Sequence, residues 1–192
     1  MGKLYCLIGK SASGKDSIYK RIIELRPQLG RYVMYTTRPI REGEVPGVSY
    51  NYTDEAKIAD YKAAGRLIES RTYDTVYGPW TYATIDDGQI ELDKRNYLMP
   101  ATLESYLSLR NYFGADKVEA IYIELDDGVR LMRALTREMR EETPKYKELC
   151  RRFIADSEDF SEEKLLEAGI DKRFVNDALE ACVDEIIDYF GL

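Results

Sequence analysis

Gly9-Lys10-Ser11-Ala12-Ser13-Gly14-Lys15-Asp16 is the stretch on which the fold turns. It reads G-x-x-x-x-G-K-D, a phosphate-cradling P-loop pattern in which Asp stands where Ser or Thr is usual. The flanks suit it. Lys3 to Ile8 is a short apolar run of strand character, and Ile18, Ile22 and Leu25 recur at helical spacing after Lys15. A strand, a glycine loop and a helix bring consecutive backbone N–H groups and the positive helix end to one centre. Gly9, Lys10, Ser11, Ala12, Ser13 and Gly14 are therefore candidate nucleotide-binding residues, and Lys15 is placed to reach β- and γ-phosphates. Asp16 is compatible with two roles, an anionic Mg²⁺ ligand or an electrostatic obstacle to phosphate. Ser17 is an alternative hydroxyl, but a one-residue shift turns a helical side chain by about 100°.

Composition narrows the chemistry. The 192 residues suffice for one compact domain, and the 33% charged and 44% hydrophobic content is that of an ordinary soluble protein. A net charge of −7 argues against a nucleic-acid surface, though not against a local basic pocket. The absence of histidine excludes Ser-His-Asp and Cys-His mechanisms and any His-ligated metal. Cys6, Cys150 and Cys182 lie far apart without metal spacing and read as reduced thiols. No apolar run approaches the ~18 residues of a membrane helix, and no signal peptide is recognisable, so a cytoplasmic protein with no membrane partner is expected.

Along the chain, Arg31 to Thr36 reads as a second strand. The glycine- and proline-punctuated segment 36–52 reads as a loop carrying Arg38, Arg41 and Tyr50, whose guanidinium forks and hydroxyl suit phosphate oxygens. Asp54 caps a helix through Ala64, Arg66 to Thr72 is a strand carrying Glu69, and Tyr77-Gly78-Pro79 is a turn. Trp80 to Ile85 and Ile90 to Leu92 around Asp86-Asp87-Gly88-Gln89 predict a hairpin. Tyr97 to Met99 and Val118 to Leu125 are buried-strand candidates separated by a helix from Thr102 to Phe113. Helix follows from Asp126. There Arg130, Arg133, Arg137 and Arg140 read most simply as a solvated charged face. The charged stretch 137–147 suits a mobile lid. Helices at 148–160 and 161–168, a short strand at Phe174-Val175 and a last helix capped by Asp177 complete the chain. Alternating strands and helices imply an α/β fold, a parallel sheet covered on both faces.

These residues carry a family likeness. The segment T-T-R-P-I-R-E-G-E-V-P-G-V-S-Y at 36–50 resembles the T-T-R-x-x-R-x-G-E-x-x-G-x-x-Y segment of the guanylate kinases. These are P-loop enzymes that transfer phosphate from ATP to GMP. Leu67-Ile68-Glu69, Tyr77-Gly78 and Val175-Asn176-Asp177 followed by Leu179 resemble further family motifs. The resemblance implies a three-layer P-loop NTPase fold with a small mixed nucleoside-monophosphate-binding insertion and a helical lid. The single domain 1–192 would have its core at about 1–36, 95–137 and 151–192, its insertion at about 37–94 and its lid at about 138–150. ATP and Mg²⁺ are the implied cofactors, a nucleoside monophosphate is the implied partner, and a monomer or homodimer is expected. By position, Arg38, Arg41, Tyr50 and Tyr77 would hold the acceptor phosphate and Glu69 the acceptor base. Arg137 and Arg152, with Arg133, would close over the transferring phosphoryl group, and Asn176 would lie beside adenine.

Three departures bear on the acceptor. Met34 stands where the family has a guanine-reading Ser, Met99-Pro100-Ala101 where it has D-I-D, and Pro79-Trp80 where Ser or Thr follows Tyr-Gly. The phosphate-holding set is complete, whereas Glu69 remains alone as base reader. The lost strand-end carboxylate has a candidate replacement in Asp16 toward Mg²⁺. Three functions follow: a kinase for GMP or dGMP, a kinase for another nucleotide, and a non-catalytic guanylate-kinase-like binding module. Such modules usually degrade the P-loop lysine and the lid arginines, which are present here.

Overall fold

A computed structural model describes residues 2–75 and 78–192. Five parallel strands form the central sheet: β1 (Leu4–Ile8), β2 (Gly30–Arg31), β7 (Tyr97–Pro100), β8 (Val118–Glu124) and β9 (Arg173–Val175), in the order β2-β7-β1-β8-β9. Period-2 alternation splits their side chains between two cores. Leu4, Cys6, Ile8, Tyr97, Met99 and Tyr122 pack toward α3 (Leu103–Phe113) and α6 (Glu162–Glu167). Tyr5, Leu7, Leu98, Ile121, Ile123 and Phe174 pack toward α1 (Lys15–Leu25) and α7 (Leu179–Phe190). Strands buried on both faces need helices on both faces, which gives the three layers. Cys6 and Cys182 are buried and Cys150 is exposed, all three as free thiols.

A second, mixed sheet has the order β4-β3-β6-β5, from β3 (Tyr35–Thr36), β4 (Asn51–Tyr52), β5 (Leu67–Thr75) and β6 (Gly78–Ile85). Its small core joins Ala83 and Ile85 to Ile58 of α2 (Glu55–Ala63), with Tyr35, Tyr61 and Leu67 packed around them. Asp54 caps α2 as the sequence predicts, accepting from the Lys57 amide at 2.8 Å.

Several local expectations change. Arg31–Thr36 is not one strand: its ends belong to β2 and β3, in different sheets. The hairpin expected over Trp80–Leu92 is instead β5 against β6, with Thr75 opposite Gly78. Gly78 and Pro79 therefore lie in β6 rather than in a turn, and Tyr77 lies outside the described residues. Leu92 is buried in the main core without joining a ladder, so its apolar character reflects packing rather than strand pairing. The last helix is capped by Ala178 without a side-chain hydrogen bond, not by Asp177.

α4 (Asp127–Glu138) and α5 (Tyr146–Asp159) complete the elements, and the end of the expected 138–150 lid is the start of α5. Among the described residues no helix is long and apolar enough to cross a membrane.

Candidate active site

The P-loop leaves the C-terminal end of central strand β1, where ligands of open α/β sheets gather. Its backbone is held in conformations that few residues tolerate: Gly9 has φ +149°, Ala12 φ +61° and Gly14 φ +93°. A Cβ on Gly9 would stand 2.5 Å from the Ile123 carbonyl oxygen, and one on Gly14 would stand 2.2 Å from the Asn176 amide nitrogen. Both glycines are thus required by close approach as well as by φ. Gly14 is also the N-cap of α1 and offers no side-chain cap, so the first-turn amides stay available to an anion.

Asn176 is buried, and its side-chain amide donates to the Ser13 carbonyl at 2.7 Å. It braces the back of the loop while also lining, with Gly14, Lys15, Asp16, Arg133 and Arg137, a cavity of about 410 Å³. The Lys15 ammonium donates to the Gly9 and Lys10 carbonyls at 2.6 and 3.1 Å, curling over the loop. Burial lowers its pKa from the usual lysine value, against the opposing pull of Asp16 and Asp156.

A carboxylate already sits on this loop. Asp156 of α5 accepts from the Ser11 amide at 2.7 Å. Arg130 lies beside it, its guanidinium 3.3 Å from Asp156 and donating to the Ser11 carbonyl at 2.7 Å. The carboxylate occupies a backbone donor of the kind that phosphate uses in P-loops. Arg130 is only 1% exposed and packs over the Phe153 ring, so the reading of the α4 arginines as one solvated face fails at its first member. Arg133 and Arg137 are exposed, and Arg152 donates to the Ser11 hydroxyl at 3.2 Å. Arg41, Arg137 and Arg152 converge on a second cavity of about 410 Å³ beside Ser11, which brings three of the predicted arginines to one place.

The second sheet and its loop carry the residues that the sequence resemblance assigns to an acceptor. Thr36 accepts from the Arg38 amide and donates to the Thr81 carbonyl, while Thr37 accepts from the Thr81 amide. The two threonines thereby fasten the loop to β6 and fix where Arg38 starts. Arg38 is buried, and its guanidinium is gripped by Glu44 at 2.7 and 3.0 Å, by the Pro39 carbonyl and by the Tyr82 hydroxyl, leaving one Nη2 N–H without a hydrogen bond among the described residues. Hydrogen bonds from Arg38 and then Tyr52 hold the Glu44 carboxyl at about 2, well below its usual range. The Tyr50 ring lies under the Arg38 guanidinium at 5.2 Å and edge-on to Tyr82, and Arg41 lies over Trp80 at 5.8 Å.

Farther along β5 and β6, Glu69 is opposite Thr84 and Arg71 is opposite Tyr82. Glu69 is buried and accepts from the Thr84 hydroxyl at 2.8 Å. Met34 and Ala101 pack against the main core and Met99 lies within it, so none presents a polar group to a base. A cavity of about 960 Å³ runs from Gly9, Ser11 and Lys15 to Arg71, Ala101 and Thr102, joining the loop to the second sheet.

Sequence reasoning passed over Glu44, Arg71, Tyr82, Arg130 and Asp156. Alternation along a strand does place Arg71 on the face of Glu69. Nothing local links Arg130 or Asp156 to a loop more than 100 residues away.

Among the described residues no cluster of three or more potential ligands is preformed for a metal. Asp16 is exposed at the start of α1 on the Lys15 cavity, and one carboxylate with substrate phosphates is a donor set that Mg²⁺ accepts.

Comparison with known proteins gives concordant results. Residues 1–190 match the family described as guanylate kinase. A guanylate kinase of Prochlorococcus marinus is 29% identical over 192 residues, covering 100% of this chain and 95% of its own. One from Chromobacterium violaceum is 28% identical over 100 residues, 48% of each chain, so that match spans about half of that relative's length. One from Nostoc is 38% identical over 72 residues, 38% of this chain and 36% of that protein. The fold resembles a crystal structure of guanylate kinase from Anaplasma phagocytophilum, with a TM-score of 0.67 at 18% identity, over 99% of this chain and 85% of that one.

Proposed function

The chain belongs to the guanylate kinase family, and from that membership we propose that it transfers the γ-phosphoryl group of ATP to the phosphate of GMP or dGMP. The observation that supports the reading is the 960 Å³ cavity, which opens the P-loop and the Arg71–Tyr73 stretch of β5 to one volume. Two substrates bound at these ends meet beside Lys15.

Phosphoryl transfer needs in-line placement and positive charge around the equatorial oxygens rather than a strong base, and a chain without histidine supplies both. The P-loop amides hold the β- and γ-phosphates once Asp156 withdraws from Ser11. Lys15 moves from its two carbonyls to the phosphate oxygens, and Arg137 and Arg152, with Arg133, surround the transferring group. Asn176 braces the loop at the adenine side. Arg38, Arg41, Tyr50 and Tyr77 hold the acceptor phosphate, and Glu69 accepts from the base. Asp16 would hold Mg²⁺, which when bound offsets charge on the phosphate oxygens. Lys15 and the lid arginines are all present around these cavities, which disfavours a module that only binds.

The test is a transfer panel with Mg-ATP and each common NMP and dNMP. GMP and dGMP turn over fastest, and Lys15→Ala lowers the rate by at least about 10²-fold. Transfer that is indifferent to Lys15→Ala would overturn the proposal. In the same assay Asp16→Ser lowers activity, because the hydroxyl restores the usual P-loop letter without the missing charge. An equally active or faster serine variant refutes the metal role of Asp16.

A further inference from the structure

Arg71 is a cation in an uncomfortable place. It donates to the Thr102 and Ser105 hydroxyls at 2.6 and 2.8 Å, and Thr102 is the N-cap of α3. A guanidinium at a helix N-terminus is set against the helix dipole. Its Nε lies 3.3 Å from Glu69 Oε2, yet both atoms are buried and neither makes a hydrogen bond among the described residues. A buried carboxylate oxygen and a buried N–H without hydrogen bonds are costly, and such groups in a binding site are suited to a ligand that satisfies both. Both residues lie on one face of β5, and Arg71 lines the cavity that reaches Lys15.

Resting on the phosphoryl-transfer reading, we propose that Arg71 reads the acceptor base, donating to the 6-oxo oxygen of a purine while Glu69 accepts from the neighbouring ring N1–H. A carboxylate beside a guanidinium offers an acceptor and a donor in fixed order. Guanine and hypoxanthine present the complementary order, an oxygen at position 6 and an N–H at position 1. Adenine presents the reverse, an amine at 6 and a bare nitrogen at 1, so the same pair meets donor with donor. The base cannot turn over to correct this, because its phosphate is anchored at Arg38, whose Tyr82 partner stands opposite Arg71 in the ladder. Arg71 thus supplies the donor that Met34 lacks. Ala101 offers no acceptor to a 2-amino group, so the class selected is the 6-oxopurine nucleoside monophosphates rather than guanine alone.

The experiment measures kcat and KM for GMP, IMP and AMP, with calorimetric binding of each and thermal melting, on the wild-type protein, Arg71→Met and Arg71→Lys. Arg71→Met is expected to raise KM and Kd for GMP and IMP by about 10–100-fold, as for loss of a charged hydrogen bond, with AMP little changed. Arg71→Lys, which keeps a cationic donor, restores part of the loss. An unchanged GMP-to-AMP ratio in Arg71→Met, with only a lower melting temperature, makes Arg71 a clamp between β5 and α3 and overturns the inference alone. Arg71-dependent GMP binding without Lys15-dependent transfer overturns the kinase reading and leaves the base contact standing. Absence of both overturns both.

Discussion

The two ends of the proposed site are built from different materials. At the P-loop the binding groups are backbone amides, set by glycines whose missing side chains leave room for the Ile123 carbonyl and the Asn176 amide. At the second sheet they are side chains, each held by another side chain: Arg38 by Glu44, Glu44 by Tyr52, and Glu69 by Thr84. In the proposed reading, the backbone end binds phosphate whatever is attached to it. The side-chain end can be retuned one residue at a time, and most of the departures from the family pattern fall there, at Met34, Pro79-Trp80 and Ala101.

The contrast is broken hardest at the backbone end, by adding one methyl group. Gly9→Ala forces a Cβ against a fixed carbonyl oxygen at φ +149°, and an expected loss of about 3 kcal/mol or more accompanies loss of ATP binding in melting and titration experiments. At the other end, removal rather than addition is damaging. Arg38→Ala takes a charged donor from the acceptor phosphate and is expected to raise the acceptor KM by about 10–100-fold while leaving ATP affinity near wild type. A parallel loss of ATP affinity would show that the two ends are not separable.

A smaller effect comes from Asp156, a side chain that intrudes on the backbone end. Asp156→Asn removes the competing anion from the Ser11 amide and is expected to tighten Mg-ATP by up to about tenfold, read by calorimetry. Weaker binding would mean that the carboxylate is needed in the complex. The smallest effect is a pH dependence. Glu44 is held at about 2 against an ordinary value of 4.5, so its contribution to stability is complete above pH 4.5 and fades as pH falls toward 2. The melting difference between wild type and Glu44→Gln should be flat above pH 5 and shrink below 4.5. A difference that grows on acidification would contradict this pairing.

How legible the molecule is in its sequence follows the same division. Spacing alone reveals the strand, glycine loop and helix around Lys15, because backbone geometry admits few residues at Gly9 and Gly14. The parallel sheet follows from the apolar runs of β1, β7 and β8. The Asp-Asp-Gly turn at 86–88 misleads: it has the residues of a hairpin turn, but the better partner for β6 is the long strand before it. Arg130 misleads as well, since periodicity places a side chain on a helix face without saying what lies opposite. Here that is Ser11, Asp156 and Phe153, all far away in sequence. Glu44 has a local cue, six residues from Arg38 in a tight loop, but its function as the arginine's counter-ion emerges only when the loop folds back on itself.

The Thr36 and Thr37 staples have a mechanical consequence. They tie the start of Arg38 to Thr81, next to the residue that opposes Arg71, so the proposed phosphate clamp and the proposed base contact are joined through one strand. With the roles proposed above, the sheet would act as a caliper with fixed jaws, gauging the span of an acceptor from its phosphate to its base edge. A molecule longer or shorter than a purine mononucleotide can seat one jaw only by lifting from the other.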